Sequence, residues 1–120
     1  MSLVLVSLLI FSGSTVNTEL TPAVQTYWNL LEKGDKIGAL EYVVLRGRNA
    51  FIRRREPPFR SWKLIKIEPR SQQEALVTVE IDQLLVLAGT YYPMPVKESW
   101  VREEGRWRVR VVQPTPDMLK

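Results

Sequence analysis

The spacing of apolar residues changes once along the chain, and this change limits the folds that are open to it. From Pro22 to about Val44 the apolar residues recur every three or four positions, which is the period of an amphipathic helix. After Trp62 they recur at every second position, which is the period of a strand with one buried face. The sequence therefore predicts an α+β fold in which helices precede an antiparallel meander.

Two or three helices are predicted in the first half of the chain. Thr21 and Pro22 supply a hydroxyl cap followed by proline at the first helical position, so the first helix is expected to start there. Gly34 ends this helix in a left-handed cap, and Asp35 caps a second helix that reaches about Val44. A short third turn of helix follows before the strands.

Four strands are predicted after the helices. Their expected bounds are Trp62–Ile67, Ala75 to about Leu87, Val96–Arg102 and Arg106–Val112. The third strand is expected to become regular only at Val96, because Pro93 and Pro95 have no N–H to donate to a ladder.

The loop before the last strand decides which side chains of that hairpin face the core. Glu103–Gly105 suits a three-residue loop, which sets Arg102 opposite Arg106. In this register Glu98 and Trp100 face away from the core. A four-residue loop would give a different pairing.

The length of the chain fits one domain. Its 120 residues can enclose one hydrophobic core but not two. We assign residues 21–113 to this domain, 15–20 to a linker and 114–120 to a flexible tail.

Residues 1–14 resemble a signal peptide. They open with MSLVLVSLLIF, an apolar run of the length of a signal-peptide core and too short to span a bilayer as a helix. The small residues Ser12, Gly13 and Ser14 follow, although no lysine or arginine precedes Lys33. Cleavage would make the protein periplasmic or secreted. If the segment is retained, it has to be buried or anchored, and the protein is then cytoplasmic. No stable transmembrane span is predicted.

The composition excludes several kinds of chemistry. The chain has no cysteine, which removes disulfides, thiolate zinc sites and a cysteine nucleophile. It has no histidine, which removes the commonest general base and the commonest nitrogen ligand of metals. No cofactor or metal site is predicted, and carboxylate, lysine, tyrosine or hydroxyl chemistry remains.

Two stretches of the sequence carry a resemblance to a known group of proteins. They are YWNLLEKGD at residues 27–35 and ESWVREEGRWRV at residues 98–109. With the order of elements over residues 21–112, they resemble the nuclear transport factor 2-like superfamily, which has the cone-shaped cystatin-like fold. The resemblance implies two or three helices packed in the concave face of a strongly curved four-stranded meander. It also implies a pocket at the wide end of the cone and a homodimer through the sheet.

Catalysis is not implied by this resemblance. Enzymes of the superfamily place an aspartate or histidine base inside the cone with tyrosine or other donors. The one constellation here for abstracting a proton next to a carbonyl is Asp82 with Tyr27 or Tyr42 as the donor. Its alternation with Ile81 points Asp82 outward.

Two sets of residues are candidates for binding. The aromatic set either lines a pocket for a flat hydrophobic ligand or fills the core. It comprises Tyr27, Trp28, Tyr42, Phe51, Trp62 and Trp107. The basic set comprises Arg46, Arg48, Arg53, Arg54, Arg55 and Arg60. It lies in the segment 46–70, which has nine basic and two acidic residues and so a charge of +7.

The basic set either binds an anionic ligand or an acidic partner, or is a solvated rim. No nucleic-acid motif accompanies it, and no specific nucleic acid is expected. The sequence thus favours a non-catalytic small-ligand-binding or protein-interaction domain. The alternative is a small lyase or isomerase that acts on a hydrophobic substrate in the cone pocket.

Overall fold

A computed structural model describes residues 2–55 and 58–111 of the chain. Its helices are α1 (Ser2–Glu32), α2 (Lys36–Ala39) and α3 (Arg48–Arg53), with 3₁₀ turns at Leu40–Tyr42 and Leu45–Gly47. Its strands are β1 (Phe59–Pro69), β2 (Glu74–Leu85), β3 (Thr90–Glu103) and β4 (Arg106–Val109). Each strand pairs antiparallel with the next along the chain. The predicted α+β fold, with helices on a four-stranded meander, is confirmed.

The helices cover the concave face of this sheet, which we call the inner face. From β2, alternate residues point to this face and are buried, namely Ala75, Val77, Val79 and Ile81. The helices contribute the other half of the core, chiefly Leu20, Val24, Tyr27 and Trp28 of α1 and Phe51 of α3. Most of the core therefore lies between α1 and the sheet.

The first helix is longer than the sequence predicted. It contains Pro22 in its interior, so the predicted helix start there and the predicted linker over residues 15–20 are both wrong. Val16 and Leu20 precede Val24 at spacings of four, so they lie on the same side of the helix, and they are 3% and 0% exposed. Burial of each such side chain contributes about 1.5–3 kcal/mol, which offsets the cost of about 3 kcal/mol for an internal proline.

The predicted second helix is too long. Residues 36–39 are helical, but the chain leaves the 3₁₀ turn after Tyr42 and becomes extended at Val43. There the Val44 N–H donates to the carbonyl of Val109 at 3.1 Å, so this segment pairs with the edge of β4. Pairing with the sheet replaces the last turn of the expected helix.

The fourth strand ends earlier than predicted. It ends at Val109, and Val112, Gln113 and the predicted tail 114–120 lie outside the described residues.

No helix among the described residues combines the length and the apolar character that a membrane span requires.

The last hairpin has a two-residue turn, and the predicted three-residue loop is wrong. Glu103 pairs with Arg106, and the two turn residues Glu104 and Gly105 have φ of 54° and 77°. Two residues in the left-handed region form a turn whose twist matches that of the strands. The register shifts by one residue, so every side chain of the strand changes face. Trp100 is consequently fully buried on the inner face.

The third strand begins earlier than predicted, because its prolines lie where no hydrogen bond is lost. The backbone carbonyl of Ser99 accepts from the Arg110 N–H at 2.9 Å. Odd-numbered residues of β3 therefore direct their backbone polar groups towards β4. No described strand pairs with β3 on this side beyond that point. Pro93 and Pro95 therefore lie on an open edge, where proline is tolerated and hinders the addition of another strand.

Glu103 joins the last hairpin to the segment after α2. Its Oε1 accepts from the Leu45 N–H at 3.0 Å and from Arg108 Nη1 at 2.8 Å, and the Arg108 side chain is buried. The Leu45 hydrogen bond, with help from Arg108, holds the pKa of Glu103 below its ordinary value of 4.5.

We expect Glu103 to make stability depend on pH in the acid range. Because the pKa is lower in the folded protein, the unfolded chain binds the proton more readily. The stabilisation is complete above the unfolded pKa near 4.5 and is lost as pH falls through the folded pKa. In urea titrations, Glu103→Gln should be less stable than the wild type at pH 7, and the difference should shrink at pH 3.

The matched control is the neighbouring Glu104→Gln. The Glu104 side chain is 66% exposed and its contact with Arg108 Nη1 is longer, at 3.3 Å, so its loss should change stability by less than about 1 kcal/mol and by less than the loss of Glu103. An equal loss for Glu103→Gln at pH 7 and pH 3 would show that its charge plays no part.

Candidate functional site

A pocket of about 320 Å³ opens between α1, the residues after α3, the start of β1 and the middle of β3. We call it the mouth pocket. Its lining residues are Trp28, Arg54, Arg55, Phe59, Ile81, Gln83, Val96, Lys97, Glu98, Ser99 and Arg110. It is therefore partly apolar and partly charged.

Two aromatic rings and two aliphatic side chains form the apolar part of the pocket lining, which we call the apolar wall. The rings of Trp28 and Phe59 meet edge to face with centroids 5.7 Å apart. Ile81 and Val96 lie beside them on the inner face of the sheet. A bulge in β1 between Phe59 and Trp62 brings both residues to this face although they are three residues apart. The apolar wall thus depends on an irregularity that the sequence pattern does not reveal.

A carboxylate is fixed in this wall by two indole groups. Trp28 Nε1 and Trp100 Nε1 donate to the same oxygen of Glu98, at 3.0 and 3.2 Å. Trp28 comes from α1 and Trp100 lies two residues after Glu98 on β3, so the carboxylate is held from the helix and from the sheet. Partly buried charges require such donors. Glu98 is the principal site residue that sequence reasoning missed, because the wrong hairpin register turned it outward.

The two arginines of the mouth pocket differ in their surroundings. Arg54 is tied to the core, since its guanidinium lies 4.7 Å from the Phe51 ring centroid and donates to the Tyr27 hydroxyl at 3.2 Å. Arg55 is exposed and forms no ion pair with the described residues. The two neighbours come from the predicted basic set, and the structure places both at one pocket.

Most of the predicted aromatic set lies elsewhere. Tyr27 and Phe51 are fully buried in the core with ring centroids 6.1 Å apart. Trp62 is half-buried, packs against Trp28 and donates from Nε1 to Asn29 at 3.1 Å. The core interpretation thus describes these three residues better than the pocket interpretation.

Tyr42 and Trp107 line a second, smaller cavity of about 250 Å³ beside the middle of α1. Trp107 is 5% exposed and the Arg102 guanidinium lies 4.7 Å from its ring centroid. Arg102 in turn forms an ion pair with Glu19 of α1. Of the six predicted aromatic residues, only Trp28 lines the mouth pocket.

The remaining predicted arginines are dispersed. Arg48 donates from Nε to the carbonyl of Val43 at 3.3 Å, and Arg46 borders a shallow cavity beside Val111. Arg53 is exposed on α3, away from the lining of the mouth pocket. The structure therefore does not join the basic set into one surface.

Asp82 lies on the outer face of the sheet. Its Oδ2 is 2.5 Å from Arg60 Nε, and the Arg60 guanidinium lies 4.2 Å from the Tyr91 ring centroid. Tyr27 is buried among the helices on the opposite face, and Tyr42 lies at the second cavity. The structure does not bring the predicted acid–base constellation together.

The chain offers little for metal chemistry. Within residues 2–55 and 58–111, no three acidic side chains lie close enough together to hold a metal ion. Nor does the sequence contain histidine or cysteine, the softer metal ligands.

Comparison with family models, with curated proteins and with solved structures gives no match to this chain. What the site can bind has therefore to be inferred from its own side chains.

Proposed function

We propose that this domain binds a small molecule in the mouth pocket and does not transform it. The pocket volume of about 320 Å³ falls at the lower end of the range for small-molecule sites. The observation that carries the proposal is the carboxylate of Glu98, held by two indole N–H groups next to an apolar wall. Ligand sites combine such a wall with a few fixed polar groups.

Membership of the nuclear transport factor 2-like superfamily is part of this proposal. The order of three helices and a four-stranded meander supports it, as does a pocket beside the helices at one end of the sheet. An experimental structure tests it by comparison of its topology with that superfamily.

Ligand binding can be tested with N-phenyl-1-naphthylamine, a neutral apolar fluorophore. We expect its fluorescence to rise on binding with a stoichiometry of one per chain. Gln83 is half-buried and lines the pocket, so Gln83→Phe should fill part of the space and weaken binding about tenfold or more. Fluorescence titration measures the affinity of each variant.

The matched control is Gln25→Phe, the same change at an exposed position of α1 outside the pocket. It should leave the affinity unchanged. Circular dichroism must show that both variants are folded. Equal affinity of folded Gln83→Phe and the wild type would contradict the proposed site.

A lyase or isomerase is the second candidate, and Glu98 is the observation that favours it. A general base has to lie at the substrate cavity, and this carboxylate does. It ranks second because proton abstraction next to a carbonyl also needs a donor for the oxyanion. Tyr27, the predicted donor, is buried and accepts a hydrogen bond from Arg54.

Isotope exchange distinguishes the two candidates. A ligand recovered from protein of the native host would be returned to the protein in deuterium oxide and weighed by mass spectrometry. A base at Glu98 would introduce deuterium next to the carbonyl, and Glu98→Gln would not. A ligand that returns unlabelled supports binding alone.

Export and dimerisation belong to the same proposal. The apolar start of the chain, residues 1–14, supports export, and mass determination of the mature N-terminus from the native host tests it. The exposed apolar residues Tyr92 and Met94 on the sheet support self-association. Light scattering that gives the monomer mass at all concentrations would exclude the homodimer.

A further inference from the structure

We infer that the ligand of the mouth pocket is an amphipathic anion whose acidic group pairs with Arg55 while its apolar body contacts Trp28 and Phe59. This inference rests on the proposed function, since it names the class of molecule that the same pocket takes. Its basis is the unequal use of the charges that line the pocket.

Among the described residues that line the pocket, the basic ones outnumber the acidic one. Four are basic, Arg54, Arg55, Lys97 and Arg110, and one is acidic, Glu98. An anion is therefore attracted to the mouth, and the attraction is stronger at low ionic strength.

These four cations are not equally available. Arg54 lies against Phe51 and bonds to Tyr27, and the Arg110 guanidinium lies 3.6 Å from the carboxylate of Glu74. Lys97 pairs with Thr78 and precedes the inward-facing Glu98, so its side chain is directed to the outer face of the sheet. Arg55 is exposed at the rim and has no carboxylate partner among the described residues. Arginine also presents a planar pair of donors that matches a carboxylate, sulfonate or phosphate.

The position of Arg55 follows from how α3 ends. The helix stops at Arg53, and Arg54 is extended with φ of −69° and ψ of 145°. The chain thus leaves the helix at the pocket, with Arg54 held by the core and the exposed Arg55 next to it in the pocket lining. Core contacts of Arg54 position its neighbour for an incoming anion.

The carboxylate of Glu98 fixes the orientation of the ligand. Because like charges repel, an acidic group is disfavoured beside this part of the wall. The apolar rings of Trp28 and Phe59 are available to the rest of the molecule. The acid therefore faces Arg55 at the rim, and the apolar body lies inward.

Two fluorophores with the same ring system test this inference. The first, 1-anilinonaphthalene-8-sulfonate, carries a sulfonate, and the second, N-phenyl-1-naphthylamine, does not. At low salt we expect the sulfonate to bind about fivefold more tightly, as one exposed charge pair provides. Arg55→Gln should lower the affinity for the sulfonate about fivefold and so remove this difference.

Two control variants test whether the preference depends on Arg55 itself. Arg53→Gln removes the same charge from an exposed residue outside the pocket lining, and it should preserve the preference. Leu87→Ser removes a fully exposed apolar side chain on the turn between β2 and β3, and it should change neither affinity.

The outcomes separate this inference from the proposed function. If both fluorophores bind equally, or if Arg53→Gln acts as strongly as Arg55→Gln, the anion preference is overturned and the binding pocket stands. If neither fluorophore binds the folded protein, both proposals are overturned. Loss of the preference in Arg55→Gln alone supports the anion site.

Discussion

Replacing Trp100 with alanine is expected to lower the free energy of unfolding by about 3–5 kcal/mol. The side chain is fully buried, packs edge to face on Tyr27 at a centroid distance of 5.4 Å and donates to Glu98. Its loss leaves a cavity and removes one of the two indole donors of that carboxylate. Urea denaturation followed by circular dichroism measures the change. For a domain with a total stability of about 5–15 kcal/mol this is a large part.

The matched control is Trp62→Ala. Trp62 is half-buried at the border of the same aromatic cluster, so its loss should cost about half as much. A cost below about 1 kcal/mol for Trp100→Ala would instead mean that Trp100 faces solvent, as the three-residue hairpin loop requires.

Replacing Leu20 with alanine is expected to destabilise the protein by about 2–5 kcal/mol. Leu20 is fully buried although it precedes Pro22, and it contacts the core through the part of α1 that the sequence assigned to a linker. Thermal unfolding monitored by circular dichroism measures the loss, which should also lower the helical signal if the first turns detach.

Gln25→Ala supplies the comparison for this helix. It is exposed on α1, and its replacement should change stability by less than about 0.5 kcal/mol. If Leu20→Ala is as mild as Gln25→Ala, the residues before Pro22 do not pack on the sheet.

The junction of the first two helices shows what local sequence can predict. Gly34 has φ of 78°, as its assignment to a left-handed cap requires. The Asp35 side chain accepts from the Gly38 N–H at 2.9 Å, as its assignment to an N-cap requires. Both predictions are confirmed, because a cap depends on residues within one turn of it.

The last hairpin shows where local rules fail. Two-residue turns of this type favour asparagine, aspartate or glycine at the first position, and this chain has Glu104 there. The sequence EEG therefore suggested a longer loop. Burial of Trp100 and the ion pairs of Arg108 outweigh the cost of a glutamate in the left-handed region.

The predicted start of α1 was wrong for a similar reason. Thr21 and Pro22 form a good helix start by local rules, yet Val16 and Leu20 already stood at the spacing of the buried stripe. If the apolar spacing is followed back from Val24 before Pro22 is taken as the helix start, Val16 and Leu20 are assigned to the helix. Whether a proline starts a helix or lies within it depends on what the preceding turns can bury.

The mouth pocket was the least predictable part of the molecule. Trp28 was a candidate from the start, and Arg54 and Arg55 belonged to the basic set. Glu98 and Phe59 were missed, because their inward direction depends on the hairpin register and on bulges in β1. A pocket whose lining comes from α1, β1, β2, β3 and the segments after α3 and β4 is set by distant pairings that short motifs do not encode.

Pro93 and Pro95 also govern how copies of this chain can join. A filament that grows by adding strands needs a backbone N–H donor at every second residue of the exposed edge strand. Pro93 and Pro95 remove two successive donors of this kind from β3. The opposite border, β1, carries bulges together with Lys63 and Lys66, both of which disfavour strand addition. Concentrated solutions of the folded protein should therefore resist ordered polymerisation by strand addition at these two borders.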